Sequence, residues 1–424
     1  MDTIQCGFAA DCQFGPSVSS CRRAFDFTVF FEEVVLVIIP ACVFIPTACA
    51  LLVLRQGRPL IRPGRLRVLK LASAIALAAV HIAILVVQAS LANKTTASVA
   101  SAVVSLVASL LIPVVSHFEH LKSLRPSALL ISFLSLTCLF EAVRTRTYWL
   151  SGEVALAAAL SAGVGIRLVV LYFETLSKKG LLLAQDEKIA VERLAGPISR
   201  TLFYWLNGLM TRGYRGLIHP EDLGPIDDRL LTTHLRPKFR AINDRYGNNA
   251  SSLKQVDLPT GNGLIVLTFT TLGRTWVGPI AARLAVTAFT FTQPFLANAA
   301  LTYLQADDPI PASHGYGLIG AAFLCYVGIA AATGWYWHQA YRCAVMVRAG
   351  LATAIFDKVL RVPEGEEVQA MATTLMVDDL QRIMSAIARG HEIWAGVIET
   401  GLATWLLYRQ LGPSCFVMLG LAGG

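Results

Sequence analysis

Charge is what this sequence has least of. Asp, Glu, Lys and Arg make up 15% of its residues and hydrophobic types 55%, where soluble domains carry about 25% and about 45–50%. A soluble globule is excluded, and 424 residues allow two or three domains. The net charge of +8 does not point to nucleic acid: Lys and Arg gather in loops beside apolar runs, as they do on the cytoplasmic side of membrane helices. The stretch Met1–Asp26 does not read as a secretory leader, since it has no short apolar core followed by a cleavage site. Metal-ligand spacing is also missing. Cys42, Cys49, Cys138, Cys325, Cys343 and Cys415 lie singly in apolar stretches and read as small core residues. Cys6, Cys12 and Cys21 precede the first apolar run; they are free thiols, or two of them pair if this end faces an oxidising compartment. A G-x-x-x-x-G-K-[ST] loop is nowhere present, so nothing offers nucleotide phosphates a lysine and a cradle of backbone N–H groups. Gly261-Asn262-Gly263 and Gly315-Tyr316-Gly317 are too short to serve and read as helix ends. No catalytic, cofactor-binding or metal residue is assigned.

Long apolar runs are what the chain does have. Five of them, at about Val29–Leu54, Val68–Leu91, Val99–Val115, Ala128–Val143 and Trp149–Leu171, approach the ~20 residues that span a bilayer. They define a five-helix membrane domain at residues 28–176, behind an extracytoplasmic terminus at 1–27. Arg55, Arg58, Arg62, Arg65, Arg67 and Lys70 follow the first run, Lys122 and Arg125 the third, and Lys178 and Lys179 the fifth. That asymmetry places the amino terminus outside and residue 180 in the cytoplasm; Arg144 and Arg146, read as a loop after the fourth run, oppose it mildly. The sequon at Asn93 would then be luminal but tight against the membrane, and the one at Asn249 cytoplasmic and silent.

Residues 177–263 change character. Pro197, Pro220, Pro225 and Pro237 break a charged stretch into short pieces. Ile198, Leu202, Trp205, Leu206 and Leu209 recur at helical spacing, which predicts an amphipathic helix over Ile198–Met210 lying in the membrane interface, with Phe203, Trp205 and Leu206 as its apolar anchors. Asn243–Pro259 is polar and reads as a flexible linker.

Here a resemblance emerges. Gly196-Pro197-Ile198-Ser199-Arg200, Phe203, Trp205-Leu206-Asn207, Leu209, Gly213-Tyr214 and Glu221-Asp222-Leu223 resemble the linker of C-subfamily ABC exporters, the multidrug-resistance-associated group, most of all its filamentous-fungal members. The likeness continues at Arg283-Leu284, Gln293-Pro294-Phe295-Leu296, Trp337-His338-Gln339, Arg342, Arg348 and Ala354–Lys358. It resumes at Leu360, Thr374-Leu375-Met376, Asp379, Arg382, His391-Glu392, Trp394 and Leu411-Gly412-Pro413. It implies an all-α polytopic membrane protein: a five-helix accessory domain, a cytoplasmic linker, and the first part of a type-1 transmembrane domain at 264–424. It also implies ATP and Mg bound on nucleotide-binding domains, a second transmembrane domain, and amphipathic or conjugated organic substrates exported across the plasma or vacuolar membrane. Neither nucleotide-binding domain is in this sequence, so a truncated exporter, inactive alone, is expected.

In 264–424 the expected order is an elbow at Leu264–Trp276, a span at Val277–Leu304, and an outer loop with Asp307, Asp308, Pro309 and Pro311. An overlong helix from Gly317 past Lys358, a reversal at Pro363–Glu367, and a span at Ala388–Leu411 follow, with an unfinished span from Pro413. Three candidate substrate-path residues stand out. Glu399 is ionisable at membrane depth, though Gly396, Thr400 and Gly401 would equally let it pack on a partner helix. Gln293 precedes the kink-forming Pro294. Arg283 could attract anionic conjugates or snorkel to the interface. Asp379 and Arg382, at i and i+3, are a candidate coupling pair or an ordinary solvated ion pair. The rival to an exporter is a non-transporting membrane module for trafficking or protein interaction, or a fragment without function. The orientation is directly testable: a protease or glycosylation-tag map should place Met1 and residue 249 on opposite sides of the membrane, and the same side for both would overturn the five-span reading.

Overall fold

In lipid an apolar segment can satisfy its backbone only within itself, so runs this long must be helical. The computed structural model describes residues 12, 14, 26–54, 61–62, 64–91, 94–181, 189–237, 239, 272–273, 275–306, 311–360 and 365–414. Among the described residues, seven helices are long and apolar enough to cross a membrane. The chain divides into two compact units, Met1–Pro225 with Tyr303–Gly317, and Ile226–Thr302 with Leu318–Gly424.

The first unit holds five of these helices: α1 (Val29–Leu54), α2 (Arg65–Ser90), α3 (Ser98–Lys122), α4 (Ala128–Ser151) and α5 (Val154–Thr175). The third and fourth outrun the apolar windows that reveal them. Arg144 and Arg146 lie inside α4 rather than in a loop, and Trp149 belongs to the end of α4 rather than the start of α5. The break falls at Gly152, whose φ of 81° ends α4 in a left-handed turn. An arginine need not end a membrane helix when a partner waits for it. Arg146 reaches Asp26 at 3.4 Å, and Arg144, only 2% exposed, sits one helical turn from the buried Glu141.

The apolar core of this bundle centres on Phe44, Leu77, Ile112, Leu130, Leu134 and Val170, with Phe44 and Phe133 stacked at 4.0 Å. Ion pairs run through it. Lys70 Nζ donates to Glu174 Oε2 at 2.8 Å, with 1% and 3% of the two side chains exposed, while Ser116 donates to the other carboxylate oxygen. Glu141 and Arg167 meet at 3.0 Å. Glu33, on a π-helical turn at Glu32–Ile38, accepts from Gln88, Thr95 and Ser98. Lys178 Nζ, just beyond α5, donates to the carbonyls of Glu119, Ser123 and Arg125, the end of α3 and the turn after it. Arg125 in turn donates to the carbonyl of Arg193, so the start of the linker is pinned to the bundle.

The amphipathic helix expected over Ile198–Met210 is broken into three. A helix spans Pro197–Thr201, Phe203 takes a left-handed φ of 56°, a 3-10 turn covers Tyr204–Leu206, and a second helix runs Asn207–Arg215. A non-glycine residue at positive φ interrupts the ladder of helical hydrogen bonds, so Phe203, Trp205 and Leu206 sit at the break rather than along one face. All three are half-buried. Cys12 is a free thiol. Cys6, Cys21, Asn93, Asn249 and Asn243–Pro259 lie outside the described residues.

The second unit is built on α6 (Gly278–Leu304) and α7 (Ala312–Val359), with α8 (Leu380–Leu411) returning. At 1.5 Å per residue the 48 residues of α7 measure about 72 Å, more than twice the ~30 Å of a bilayer core. Against this helix packs the linker segment that follows Pro225. Leu235 and Phe239 join Met346, Val347, Leu351 and Leu380 in one core, and Asp227 accepts from Arg342 Nη2 at 2.7 Å. Arg236 pairs with Asp357. Gly350 is required there, because a Cβ on it would lie 2.2 Å from the Phe239 ring. A helix at Glu366–Thr374 passes through a π-helical turn, Leu375–Asp379, into α8. At 32 residues α8 is long enough to span. It is not among the seven apolar helices, because Arg389, His391, Glu392 and Glu399 make it too polar. Of the expected elbow only residues 272–273 and 275–276 are described, and the outer-loop residues 307–310, the reversal at 361–364 and everything from 415 lie outside.

The Lys70–Glu174 pair gives a direct test. Lys70→Met strands a buried carboxylate and should destabilise the bundle by about 3–5 kcal/mol, whereas adding Glu174→Leu should recover most of the loss. Thermal melts in detergent read both, and equal stability of the single variant and the parent would contradict the buried pair.

Candidate functional site

Arg283, the sixth residue of α6, cannot reach water easily: 7% of it is exposed. A guanidinium so placed needs acceptors, and α8 supplies them. Glu392 and Glu399 are seven residues apart, two helical turns, and so share one face of α8. Arg283 Nη1 donates to Glu399 Oε1 at 2.7 Å and Nη2 to Glu399 Oε2 at 3.2 Å, a two-pronged fork. Nη2 also donates to Glu392 Oε2 at 3.0 Å. Thr287, one turn along α6, donates to Glu399 Oε1 at 2.8 Å. Its hydroxyl thereby locks the carboxylate to the helix that carries the arginine.

Aromatic rings enclose this polar knot. The guanidinium lies 5.9 Å from the Tyr336 ring of α7, a range in which cation and π-face attract. His391 lies against Trp276 with ring centres 4.5 Å apart, and Trp394 Nε1 donates to His391 Nδ1 at 3.0 Å, which leaves the proton of the neutral ring on Nε2. Gly390 admits the Trp276 ring, since a Cβ there would stand 2.8 Å from it. Three helices therefore meet at one charged point, α6 through Arg283 and Thr287, α7 through Tyr336, and α8 through Glu392 and Glu399.

Two residues singled out separately in the sequence, Arg283 and Glu399, are thus bonded to each other. The arginine neither snorkels nor stands free to meet an anion; two carboxylates already offset its charge. Gln293, ten residues along α6 and about 15 Å away by helical rise, takes no part in these hydrogen bonds. Asp379 and Arg382 are not joined: among the described residues no ion pair links them, and Arg382 is exposed. An exposed pair gains at most about 1 kcal/mol, too little to hold two side chains together. Sequence reasoning assigned no role to Glu392, Thr287 or Tyr336, although the two-turn spacing of Glu392 and Glu399 and the one-turn spacing of Arg283 and Thr287 were visible signals. Among the described residues no group of His, Cys, Asp and Glu could hold a metal ion. What the arrangement does is fasten α6 to α8 through one guanidinium, one hydroxyl and two carboxylates.

Comparison with known proteins gives this geometry a setting. Residues 13–160 match the family model described as the ABC transporter TMD0 domain. The chain is 33% identical over 466 residues to the ABC-type transporter phomO of Diaporthe leptostromiformis, covering 99% of this chain and 29% of that protein. It is 34% identical over 424 residues to the ABC multidrug transporter lscH of Purpureocillium lilacinum, covering 97% of this chain and 27% of the relative. It is 32% identical over 414 residues to ABC multidrug transporter B of Aspergillus fumigatus, at 95% and 27%. The chain therefore spans under a third of the length of the curated relatives it matches.

A double-mutant cycle tests the knot. Arg283→Met should cost about 2–4 kcal/mol by stranding two carboxylates, and Glu399→Met less, because Glu392 still holds the arginine. The double variant should lie well above the sum of the singles in stability. Strict additivity of the melting shifts would dissolve the pair.

Proposed function

This chain belongs to the ABC transporters, and from that premise we propose that it supplies transmembrane machinery of an ATP-driven exporter of amphipathic or conjugated organic compounds, in the manner of the C-subfamily. The observation that carries the reading is the extent of the likeness: 99% of the chain aligns with a single ABC-type transporter, so both units are accounted for together. In this reading α6, α7 and α8 contribute to a translocation bundle, and Arg283 and Glu399 lie at its substrate path as a clamp between helices. The cytoplasmic length of α7 and the region of Asp379 and Arg382 would meet a nucleotide-binding domain, which brings ATP and Mg. The amino terminus would be extracytoplasmic, and the membrane plasma or vacuolar.

Mechanically, an exporter must move helices apart and together without dissolving them. A bidentate arginine fork between α6 and α8 resists sliding, because both N–H···O bonds fail together when the register shifts. It tolerates separation better, because Glu399 and Glu392 are 30% and 40% exposed and can be taken over by water. ATP hydrolysis would supply the work of separation from outside this chain's own residues.

The experiment uses inside-out membrane vesicles in which the chain is co-expressed with the remaining part of the phomO relative as a second polypeptide. ATP-dependent accumulation of a fluorescent amphipathic dye and of its glutathione conjugate is expected, reduced in Arg283→Met. The purified chain alone should show no saturable binding of a labelled ATP analogue. Accumulation that ignores ATP, or a saturable nucleotide site on the chain alone, would overturn the proposal.

A further inference from the structure

Halfway along the five-helix bundle lies a cavity with room for about one water molecule. His81 of α2, Ser105 and Ser109 of α3, Thr137 and Glu141 of α4, and Arg167 of α5 line it. The hydrogen bonds around it are nearly complete. His81 Nδ1 donates to the carbonyl of Leu77 at 3.0 Å, so Nε2 is the acceptor for Arg167 Nη2 at 3.2 Å. Arg167 Nη1 reaches both Glu141 Oε1 and the carbonyl of Thr137, at 3.0 and 3.1 Å. Ser109 spends its proton on the carbonyl of Leu106 and keeps its lone pairs.

Two atoms are left over. Glu141 Oε2, an acceptor, and Arg167 Nε, a donor, are both fully buried and have no protein partner. Glu141 is 5% and Arg167 4% exposed. An unmatched carboxylate oxygen and an unmatched guanidinium N–H are each unfavourable in an apolar interior, because neither recovers the hydrogen bond it made to water. They are complementary to each other and to one molecule that can donate and accept at once. We propose that this cavity is a resident-water site, in which a bound water donates to Glu141 Oε2 and accepts from Arg167 Nε, with Ser105 or Ser109 as a further partner. A buried water needs two to four polar partners and about one probe sphere of space; the cavity has the space, and His81, Ser105, Ser109, Glu141 and Arg167 are polar residues of its wall. An apolar ligand would leave both of these atoms unmatched, although the two charges offset each other, and an anion would face Glu141 directly.

Dry packing limits the site. Leu77, one turn nearer Lys70 on α2, is fully buried, as are Leu134 and Val170, which separates this water from the Lys70–Glu174 layer. The consequence is a bundle whose four helices α2 to α5 are tied at mid-depth through solvent as well as through the ion pair. The site belongs to the accessory domain and does not depend on the transport reading above.

X-ray radiolytic footprinting of the full chain in nanodiscs decides the matter, because hydroxyl radicals form where water resides. His81 and Phe133, both at the cavity wall, should be oxidised several-fold faster than Phe44, which stacks on Phe133 but does not line the cavity. Ser109→Leu, which fills the space with an apolar side chain, should bring His81 and Phe133 down to the Phe44 rate. Wild-type rates at His81 and Phe133 no higher than at Phe44 would show a dry cavity and overturn the proposal, whether or not the variant inserts. Persistence of fast labelling in an inserted Ser109→Leu chain would place the water elsewhere and overturn it equally.

Discussion

A charged side chain inside a bilayer must find its opposite, and that requirement orders the first unit. Each of its five helices carries such a group inward: Glu32 and Glu33 on α1, Lys70 on α2, Glu119 on α3, Glu141 and Arg144 on α4, Arg167 and Glu174 on α5. Leu, Val and Ala faces are interchangeable in lipid, since the tails outside are as apolar as the neighbours inside. Apolar packing alone would let the five helices assemble in many orders and registers. Lys70 with Glu174 fixes α2 against α5, Glu141 with Arg167 fixes α4 against α5, and Glu33 with Gln88 and Ser98 fixes α1 against α2 and α3. A slip of one helix by a single residue would break a pair and leave two ions unpaired in a low-dielectric interior, a penalty that no rearrangement of apolar faces can offset.

The same requirement explains why helix ends fall where they do. Lys178 closes one carbonyl in the last turn of α3, that of Glu119, and two in the turn after it, Ser123 and Arg125, where that helix ends at Lys122. Arg144 and Arg146 stay helical because Glu141, Glu32, Glu33 and Asp26 are at hand on one side of α4. The stop comes only at Gly152, where the chain can turn left-handed at no steric cost.

The apolar runs were legible, because twenty consecutive hydrophobic residues admit one structure in a membrane. Their ends were not, since a hydropathy window stops at the first charge while a helix stops where its carbonyls are capped. Arg144 looks like a loop residue in the sequence but is a core residue in the fold: beside Glu141 and Tyr148 of its own helix, the charges of Glu32 and Glu33 act on it from α1, over a hundred residues earlier. Phe203 is a second case. The spacing of Ile198, Trp205 and Leu209 describes a helix, and nothing in the residue type of Phe203 announces a left-handed backbone. At the candidate site both Arg283 and Glu399 were visible, Glu399 as an ionisable group at membrane depth and Arg283 as a cation that could attract anionic conjugates or snorkel to the interface. Their pairing was hidden, because it joins positions 116 residues apart, and only the packing of α6 on α8 brings them together.

The two units use ion pairs differently, and exposure tells them apart. In the first, both members of the Lys70–Glu174 pair are under 4% exposed, so neither ion can leave without passing through hydrocarbon. Such a pair is permanent on the timescale of helix motion. In the second, the arginine is shielded while its carboxylates are a third open to their surroundings. Water can approach Glu399 and Glu392 and weaken the fork stepwise, one N–H···O bond at a time, with Thr287 still holding Glu399 by its hydroxyl. A conformational change needs interactions whose free energy differs between two states. A sealed pair offers none, because it is intact in both. A half-open one offers a difference that helix separation can draw on and helix closure can restore. By that criterion the charge cluster of α6 and α8, with its carboxylates open to their surroundings, is the more readily weakened of the two, and the sealed Lys70–Glu174 pair the less.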